Sequence, residues 1–272
     1  MNENDEIPDD HVDEETPQVH SAVEKGDQKR VRELAFAGVD LNQKFKGRRP
    51  VDIAIKKGDV EMCMLLCSLG VDMKSFDAED SCKETPLHTA AYWGKLEVVE
   101  YLILLKVDID AITRDGKTAL HYAAEASDLA MVKFLCDKGA KSDEIAACGY
   151  TPLHAAICGF NFKNCINVCR YLCELEANVN QFSSGMAPIH YAAHSGNLDL
   201  CRLLVSFGAD INVPSKADAI NNFETPLYMA SFGQHVEVCK FLIDEGAILE
   251  PRTKRYARTN DNDVAKLLRG YI

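Results

Sequence analysis

The sequence predicts an all-α repeat solenoid, in which seven repeats of one hairpin and two helices stack side by side. Three observations support this fold class. One phrase recurs at a period near 33 residues, its copies have apolar residues at helical spacing, and most copies carry glycine at the same late position. Five strong copies begin at Thr85, Thr118, Thr151, Ala187 and Thr225. Two weaker copies begin at Pro17 and Arg49, so the first two repeats are degenerate.

One anchor position fixes the register of each repeat, and positions are counted from it, so that +1 is the next residue. The anchors are His20, Asp52, His88, His121, His154, His190 and Tyr228. Successive anchors are separated by 32, 36, 33, 33, 36 and 38 residues. The register of the fifth repeat allows for four inserted residues.

Local chemistry explains why each repeat forms two helices. Threonine before the first helix can accept hydrogen bonds from first-turn amides, and the proline after it needs no N–H partner. Paired alanines at +2 and +3 let a second helix approach closely. Apolar residues repeat at +10, +11, +14 and +15, as in Val98, Val99, Leu102 and Ile103. Glycine at +18 suits the left-handed conformation that ends the second helix. One repeat alone cannot bury the apolar faces of both its helices, so neighbouring repeats must stack.

These residues resemble the ankyrin-repeat family. The family signature T-P-L-H-x-A-A opens the strong copies, and its later phrase L-L-x-x-G-A-[D/N]-[V/I]-N matches "LLVSFGADIN", Leu203–Asn212. The resemblance covers residues 17–250. It implies a non-catalytic protein-binding module without a cofactor, such as an adaptor, scaffold or regulatory inhibitor. The protein partner would contact the concave face of the first helices and the hairpin tips.

The two ends of the chain differ from the repeats. The net charge is −12, and the first sixteen residues contribute eight acids and no Lys or Arg, which leaves −4 elsewhere. A segment with this much charge cannot bury enough apolar surface to compensate for the conformational entropy that it would lose on folding. Residues 1–16 are therefore expected to be a disordered acidic tail. Residues 251–272 are predicted to form a C-terminal cap, with a short helix at Val264–Arg269 covering the seventh repeat.

Composition excludes several classes of protein. No apolar run approaches the roughly 18–20 residues that cross a bilayer, and no secretory signal is recognisable at the acidic N-terminus. Eleven cysteines are an odd number, which fits the reducing cytoplasm or nucleus better than a disulfide scaffold. The acidity argues against general binding of a nucleic-acid backbone. We expect a monomer.

A ladder of three cysteines, Cys165, Cys169 and Cys173, falls on one helix face and raises the question of a metal or redox site. The register favours packing instead, because seven cysteines occupy the apolar positions +11 and +15. They are Cys63, Cys67, Cys136, Cys169, Cys173, Cys201 and Cys239. A metal- or thiol-dependent enzyme that uses Cys158 and Cys165 is the alternative from another class. Alkylation of the native protein is expected first at Cys82, Cys148 or Cys165.

The histidines allow a similar choice. His190 and His194 have the i, i+4 spacing of a metal-binding pair, but the resemblance implies that His190 packs and hydrogen-bonds between repeats. The chain contains no G-x-S-x-G, phosphate-loop, dinucleotide or H-E-x-x-H motif. We therefore predict neither catalysis nor a metal site.

The resemblance places partner contacts at +1, +4 and +5 of each first helix and at the hairpin tips. These positions hold an aromatic stripe that includes the only tryptophan, and aromatic residues and methionine are enriched at interface centres. The predicted partner-binding residues are Tyr92, Trp93, Tyr122, Glu125, Tyr150, Phe160, Phe162, Tyr191, His194, Met229 and Phe232. Ordinary packing within the stack is the alternative for the tyrosines, and burial of the insertion is the alternative for the two phenylalanines.

The first two repeats carry a basic patch instead. Its residues are Lys44, Lys46, Arg48, Arg49, Lys56 and Lys57. Three interpretations stay open: a solvated face, a docking site for an acidic segment such as the chain's own tail, and a nucleic-acid contact.

Overall fold

The computed structural model describes residues 16–74, 82–159, 165–216 and 224–272. Nearly all of the predicted acidic tail, together with Phe160 and Phe162, lies outside the described residues. The described residues form two compact units with a boundary between Asp108 and Ile109: the N-terminal block and the C-terminal block.

The described part of the N-terminal block contains three pairs of short helices. They are α1 (Gln18–Glu24), α2 (Gln28–Phe36), α3 (Pro50–Lys57), α4 (Val60–Ser68), α5 (Pro86–Tyr92) and α6 (Leu96–Leu104). Each first helix packs against the second helix of its own pair, and α1, α3 and α5 pack in succession. The second helices α4 and α6 also pack together.

Outside residues 160–164 and 217–223, the C-terminal block contains five pairs of α-helices. They are α7 (Ala119–Glu125), α8 (Leu129–Asp137), α9 (Pro152–Cys158), α10 (Cys165–Glu174), α11 (Pro188–His194), α12 (Leu198–Ser206), α13 (Pro226–Phe232), α14 (Val236–Asp244), α15 (Pro251–Thr259) and α16 (Asp263–Arg269). First helices pack on first helices and second helices on second helices. In the part of the chain that the structure describes, each block is an all-α stack of helix pairs, which confirms the predicted fold class.

The C-terminal segment is more regular than predicted. Its expected capping helix corresponds to α16, but a further helix, α15, precedes it. Helix α15 packs on α13 and α16 packs on α14, as an added repeat would. Thr253, Ala257, Val264 and Leu268 are buried in this pair. The segment therefore continues the stacking with a helix pair that lacks the family signature.

Glycine and capping residues set the limits of the second helices. Asp27, Asp59, Asp128 and Asn197 each accept a hydrogen bond from the amide three residues later, which satisfies an N–H that the helix leaves free. The glycines at +18 have φ between 80° and 97°, as predicted for a left-handed helix end, and they are Gly38, Gly70, Gly139, Gly208 and Gly246.

The signature histidines connect one repeat to the next. Backbone amides at the starts of α5, α7, α9 and α11 donate to Nδ1 of His88, His121, His154 and His190 over 3.1–3.4 Å. An Nδ1 atom that accepts leaves the ring proton on Nε2. Nε2 of His121 then donates to the Tyr150 carbonyl at 3.2 Å, and Nε2 of His190 donates to the Glu224 carbonyl at 3.0 Å.

Threonine has an additional role at three of these starts. The hydroxyls of Thr85, Thr118 and Thr151 lie 2.8, 3.0 and 2.8 Å from the Nδ1 atoms of their histidines. Thr151 and Thr225 accept a hydrogen bond from the amide three residues later, as predicted. The threonine hydroxyl thus helps to orient the imidazole as well as to cap the helix.

Asparagine and aspartate form a second connection at the far ends of the second helices in the C-terminal block. The Asn180 side chain donates to the Gly208 carbonyl at 3.0 Å and accepts from the Asp210 amide at 2.9 Å. Asn212 makes the same pair of contacts with Gly246 and Ile248. The repeat that contains His190 and Asn212 is thus hydrogen-bonded to the following repeat at both ends of its helices.

Most of the cysteines fill the core, as the register predicts. Cys63, Cys169, Cys201 and Cys239, all at +11, are fully buried. The prediction for +15 was too strong, since Cys173 is buried but Cys67 and Cys136 are only half-buried. Ile103, also at +15, is half-buried too, whereas the residues of that helix at +10, +11 and +14 are fully buried. Position +15 therefore lies at the margin of the core.

Cys165 departs from the sequence prediction. It is the first residue of α10 and is 1% exposed, so the expectation of early alkylation there was wrong. A hydrogen bond with the Cys169 thiol lowers the pKa of Cys165 to about 7, although burial opposes this effect. Burial raises the pKa of Cys201 to about 12 and that of Cys239 to about 11.

Thiol labelling should separate core cysteines from surface cysteines. Cys82, Cys148 and Cys158 are exposed, and we expect a maleimide to modify Cys82 and Cys148 first. Cys158 should follow more slowly although the residue is exposed, because its sulfur is partly desolvated, and this desolvation together with the nearby Glu125 raises its pKa to about 11 and keeps it protonated. Mass spectrometry of native protein at neutral pH gives the order. Early modification of Cys169, Cys201 or Cys239 would contradict the core assignment.

Buried histidine should make stability depend on pH. Burial lowers the pKa of His154 to about 4, and nearby backbone of Met186 and Gln181 offsets part of this effect. The unfolded chain takes up the proton near pH 6.5, so the stability contributed by the neutral ring is present above pH 6.5 and lost as pH falls towards 4. The free energy of unfolding should drop by about 2 kcal/mol from this residue between pH 7 and 5.

Urea melts of His154→Asn at the two pH values check this expectation. The variant is less stable at pH 7, but its loss on acidification should be smaller than that of the wild type. Leu153→Ala is a matched control, because it damages the same helix by removing a fully buried side chain and keeps the histidine. An identical pH dependence in all three proteins would show that His154 does not titrate as described.

Candidate partner-binding surface

The first helices carry the residues predicted to bind a partner, and their +1, +4 and +5 positions are called the helix-A face below. In the N-terminal block, Tyr92 and Trp93 are 42% and 41% exposed. In the C-terminal block, Phe232 is 64% exposed. Large side chains with this much free surface are rare inside a fold, which makes these three the prominent apolar groups of the face.

Trp93 stands at the C-terminal end of α5, where it closes the helix by donating its amide to the Thr89 carbonyl. Its ring meets the Tyr92 ring edge-on with centroids 5.2 Å apart. The ammonium of Lys56, at the end of α3, lies 4.7 Å from the centre of the indole ring. The packing of α3 on α5 brings these groups together, and the resulting cation–π contact fixes the indole without burying it.

Lys117 forms a similar contact in the C-terminal block. Its ammonium lies 5.4 Å from the ring centres of both Tyr122 and Tyr150, and it pairs with the Glu125 carboxylate at 3.1 Å. Lys117 and Glu125 are both only partly exposed. Three predicted binding residues, Tyr122, Glu125 and Tyr150, are therefore tied together by one lysine that the sequence did not single out.

Tyr150, at a hairpin tip, and Tyr191, on helix α11, are packed rather than free. Tyr150 stacks between His121 and His154, with ring centroids 6.3 and 5.9 Å away, and burial raises its pKa. Tyr191 donates its hydroxyl to the Ser183 carbonyl at 3.1 Å and meets the His154 ring edge-on. Packing within the stack thus accounts for much of the surface of both tyrosines.

The end of the C-terminal block presents a second cation–aromatic group. The Arg252 guanidinium lies 4.7 Å from the centre of the Tyr228 ring and pairs with Glu224 at 3.1 Å. Tyr228 stacks on Phe232, whose outer surface is open. Met229 is half-buried beside them.

His194 is exposed, and its backbone carbonyl accepts a hydrogen bond from Nε2 of His235 at 2.9 Å. The same His235 ring lies against Gly196 and Gly233, where an added Cβ would come within 2.4–2.5 Å of it. Loop packing therefore holds the backbone at His194, whereas the His194 side chain remains exposed to solvent.

Hairpin tips in the C-terminal block are joined by single backbone hydrogen bonds. Ala147 donates to Asp115 at 2.7 Å, Ser184 to Cys148 at 3.0 Å, and Lys216 to Gly185 at 2.6 Å. The backbones approach closely at Gly149, which has φ +83° and where a Cβ would lie 2.1 Å from the Phe182 carbonyl oxygen. An open cavity of about 300 Å³ follows this row of tips, and it is lined by residues that include Asp115, Lys117, Cys148, Tyr150, Ser183 and Ser184.

The basic patch of the N-terminal block is smaller than predicted. Lys44, Lys46 and Arg48 are exposed around the first tip, where Phe45 and Arg48 form one antiparallel bridge. Lys57 is also exposed and Lys56 is half-buried. Arg49 does not belong to the patch, because it is 8% exposed and its guanidinium pairs with Asp52 at 3.0 Å. Asp52 takes the place of the signature histidine in this repeat and accepts the Arg49 amide as the imidazole would.

The structure does not assemble the residues of the alternative enzyme hypothesis into one reactive group. Cys158 is exposed with a raised pKa, whereas Cys165 is buried. In the described ranges, no three His, Cys, Asp or Glu side chains converge as metal ligands would. Every helix in those ranges is too short or too polar to span a bilayer.

The sequence predicted the exposed aromatic residues but did not predict that Lys117 and Arg252 lie over the rings of nearby tyrosines. Lys117 directly precedes a signature threonine, and Arg252 directly follows the proline that opens α15. A search for lysine and arginine next to the helix starts could have found both residues. Their carboxylate partners Glu125 and Glu224 come from outside that local pattern.

Comparison with known proteins agrees with this architecture. Family models described as ankyrin repeats match residues 19–113, 73–146, 103–183, 141–215 and 189–243. The chain is 19% identical to the human ASB11 ankyrin repeat domain in its crystal structure, with a TM-score of 0.70 over 86% of this chain and 99% of that one. At this identity the likeness concerns the fold alone.

Two curated relatives are much longer proteins. The chain is 28% identical over 201 residues to the transient receptor potential cation channel subfamily A member 1 of Drosophila melanogaster, covering 71% of this chain and 17% of the channel. It is 32% identical over 102 residues to the Caenorhabditis elegans homologue, covering 37% of this chain and 8% of that protein. The matches thus span less than a fifth of either channel. Because the family models cover most of its length, the chain belongs to the ankyrin-repeat family.

Proposed function

We propose that this chain is a non-catalytic protein-interaction module that holds a protein partner on its helix-A face and hairpin tips. Ankyrin repeats are generally protein-interaction modules, and membership of the family is the first support for the proposal. A role as adaptor, scaffold or regulatory inhibitor follows from the same family membership. The partner binds through a few aromatic anchors, as is usual for protein interfaces.

The single observation that carries the proposal is the exposure of Trp93. A tryptophan buries a large area at low entropic cost, and an indole that is 41% exposed leaves part of that area for a partner. Lys56 holds the indole ring in one orientation, so the side chain loses less conformational entropy when a partner binds. Tyr92 extends the exposed aromatic surface beside it. In the C-terminal block, Phe232 offers a comparable anchor on a stacked Tyr228.

The enzyme hypothesis has weaker physical support. A catalytic thiol reacts as the thiolate, and the raised pKa of Cys158 keeps that thiol protonated at neutral pH. Cys165 has a lowered pKa but is buried against Cys169, where a substrate has no access in this conformation. Neither residue combines thiolate character with exposure.

Anchor substitutions should weaken binding without unfolding the protein. Trp93→Ala and Phe232→Ala remove exposed side chains, so each should change the free energy of unfolding by less than about 1 kcal/mol. Each should weaken binding of the partner by about 2 kcal/mol if it is an interface hot spot. Leu102→Ala removes a fully buried side chain and should cost about 2–5 kcal/mol of stability. Urea melts and affinity capture of partners with the wild-type chain, followed by titration, provide the measurements.

A matched control lies elsewhere in the N-terminal block. Phe36 is 88% exposed at the end of the second helix α2, outside the helix-A face. Phe36→Ala should therefore leave partner binding unchanged. If Phe36→Ala weakens binding as much as Trp93→Ala does, the partner does not select the helix-A face. If Trp93→Ala unfolds the protein as readily as Leu102→Ala, the indole is a core residue and the proposal fails for the N-terminal block.

A further inference from the structure

We propose that the chain's own acidic residues 1–15 bind along the helix-A face of the N-terminal block, between the first hairpin tip and the Lys56–Trp93 pair. This inference uses the face named in the proposed function but does not depend on an external partner. It assigns that face an occupant of defined chemistry, a peptide segment with eight carboxylates and no Lys or Arg.

The acidic segment joins the described chain beside the basic patch. Helix α1 begins at Gln18, and two residues later Nε2 of His20 lies 3.0 Å from the Arg48 carbonyl oxygen. The His20 ring also meets the Phe45 ring with centroids 5.8 Å apart. On the other side of this junction, the Arg30 guanidinium donates to the Gln18 side chain at 2.7 Å. The segment is therefore tethered at the first tip, next to the exposed side chain of Arg48.

The other end of the proposed path is the Lys56–Trp93 pair. Lys117 and Arg252, which lie over tyrosine rings of first helices in the C-terminal block, each have a carboxylate at 3.1 Å. Within the described residues, the contact of Lys56 is the indole ring alone, without a carboxylate. Lys57 beside it donates to the Glu24 carbonyl, which is neutral. Two adjacent positive charges thus remain for an external or tethered acid.

The path is within reach of the segment. Helix α3 has eight residues, a length of about 12 Å, and two steps from α1 to α5 add about 20 Å at the usual helix spacing. An extended segment of fifteen residues reaches about 50 Å. Because the segment is covalently attached, its effective concentration at the face is in the millimolar range, which favours a weak electrostatic contact. A partner that uses Trp93 then competes with this segment.

Trp93 is the only tryptophan in the chain, so its fluorescence reports on this site directly. The experiment compares the full-length wild type with a full-length variant in which the eight acids of residues 1–15 are replaced by Asn or Gln. A synthetic peptide of residues 1–15 is titrated into both proteins at 50 mM and 500 mM salt. We expect saturable binding to the neutralised variant, at least tenfold weaker binding to the wild type because its face is occupied, and loss of affinity at high salt.

Charge variants show whether the peptide uses the proposed path. Lys56→Met with Lys57→Met, in the neutralised chain, should weaken peptide binding at least tenfold. Lys29→Met with Arg32→Met removes the same charge from exposed positions on α2 and should leave binding unchanged. Equal binding to the wild type and the neutralised variant overturns the proposal, and so does an equal effect of the two charge variants. Either result leaves the partner test with Trp93→Ala and Phe36→Ala unaffected, because that test measures an external ligand.

Discussion

The imidazole that bridges two repeats is the interaction on which the rest of the structure depends. Its Nδ1 atom accepts the amide at the start of its own helix, so its Nε2 proton is directed at the carbonyl of the following tip. Both nitrogens are buried with their partners, where an unsatisfied polar atom would cost about 1–3 kcal/mol. The bridge therefore fixes the position of each tip relative to the helix before it. Loss of one bridge would loosen the tip and the aromatic residues attached to it.

The candidate surface follows from this constraint. Tyr150 is held because its carbonyl receives the His121 proton and its ring stacks on two imidazoles. Lys117 therefore contacts the rings of Tyr122 and Tyr150 and the carboxylate of Glu125 at fixed positions. At His154 the pattern is interrupted, since its buried Nε2 has no hydrogen-bond partner among the described residues. The adjoining tip is held instead by the backbone bond from Ser184 to Cys148 and by the Tyr191 hydroxyl.

The repeat period allowed much of this to be predicted from sequence, because stacking forces equivalent residues into equivalent environments. It placed the cysteines at +11 in the core and the glycines at +18 in left-handed conformations. It failed where side chains from different repeats combine. Arg49 is buried because Asp52 replaces histidine in that repeat, and helix α15 lacks the signature although its residues complete the last helix pair. The asparagine connections at Asn180 and Asn212 are also non-local, since their partners lie 28–36 residues away.

The electrostatic state of the cations distinguishes the two blocks. In the C-terminal block, Lys117 and Arg252 each contact a ring and a carboxylate at once, so an added negative charge would gain little there, whereas the apolar surface of Phe232 stays open. Within the described residues of the N-terminal block, Lys56 covers Trp93 without a carboxylate. An acid that approaches Lys56 would gain an attraction that no described carboxylate supplies. Charge complementarity mainly sets specificity and the rate of association, whereas buried aromatic area sets affinity. The two blocks thus differ in the charge around their exposed aromatic residues, because the substitutions that distinguish the repeats lie at surface positions that stacking does not constrain.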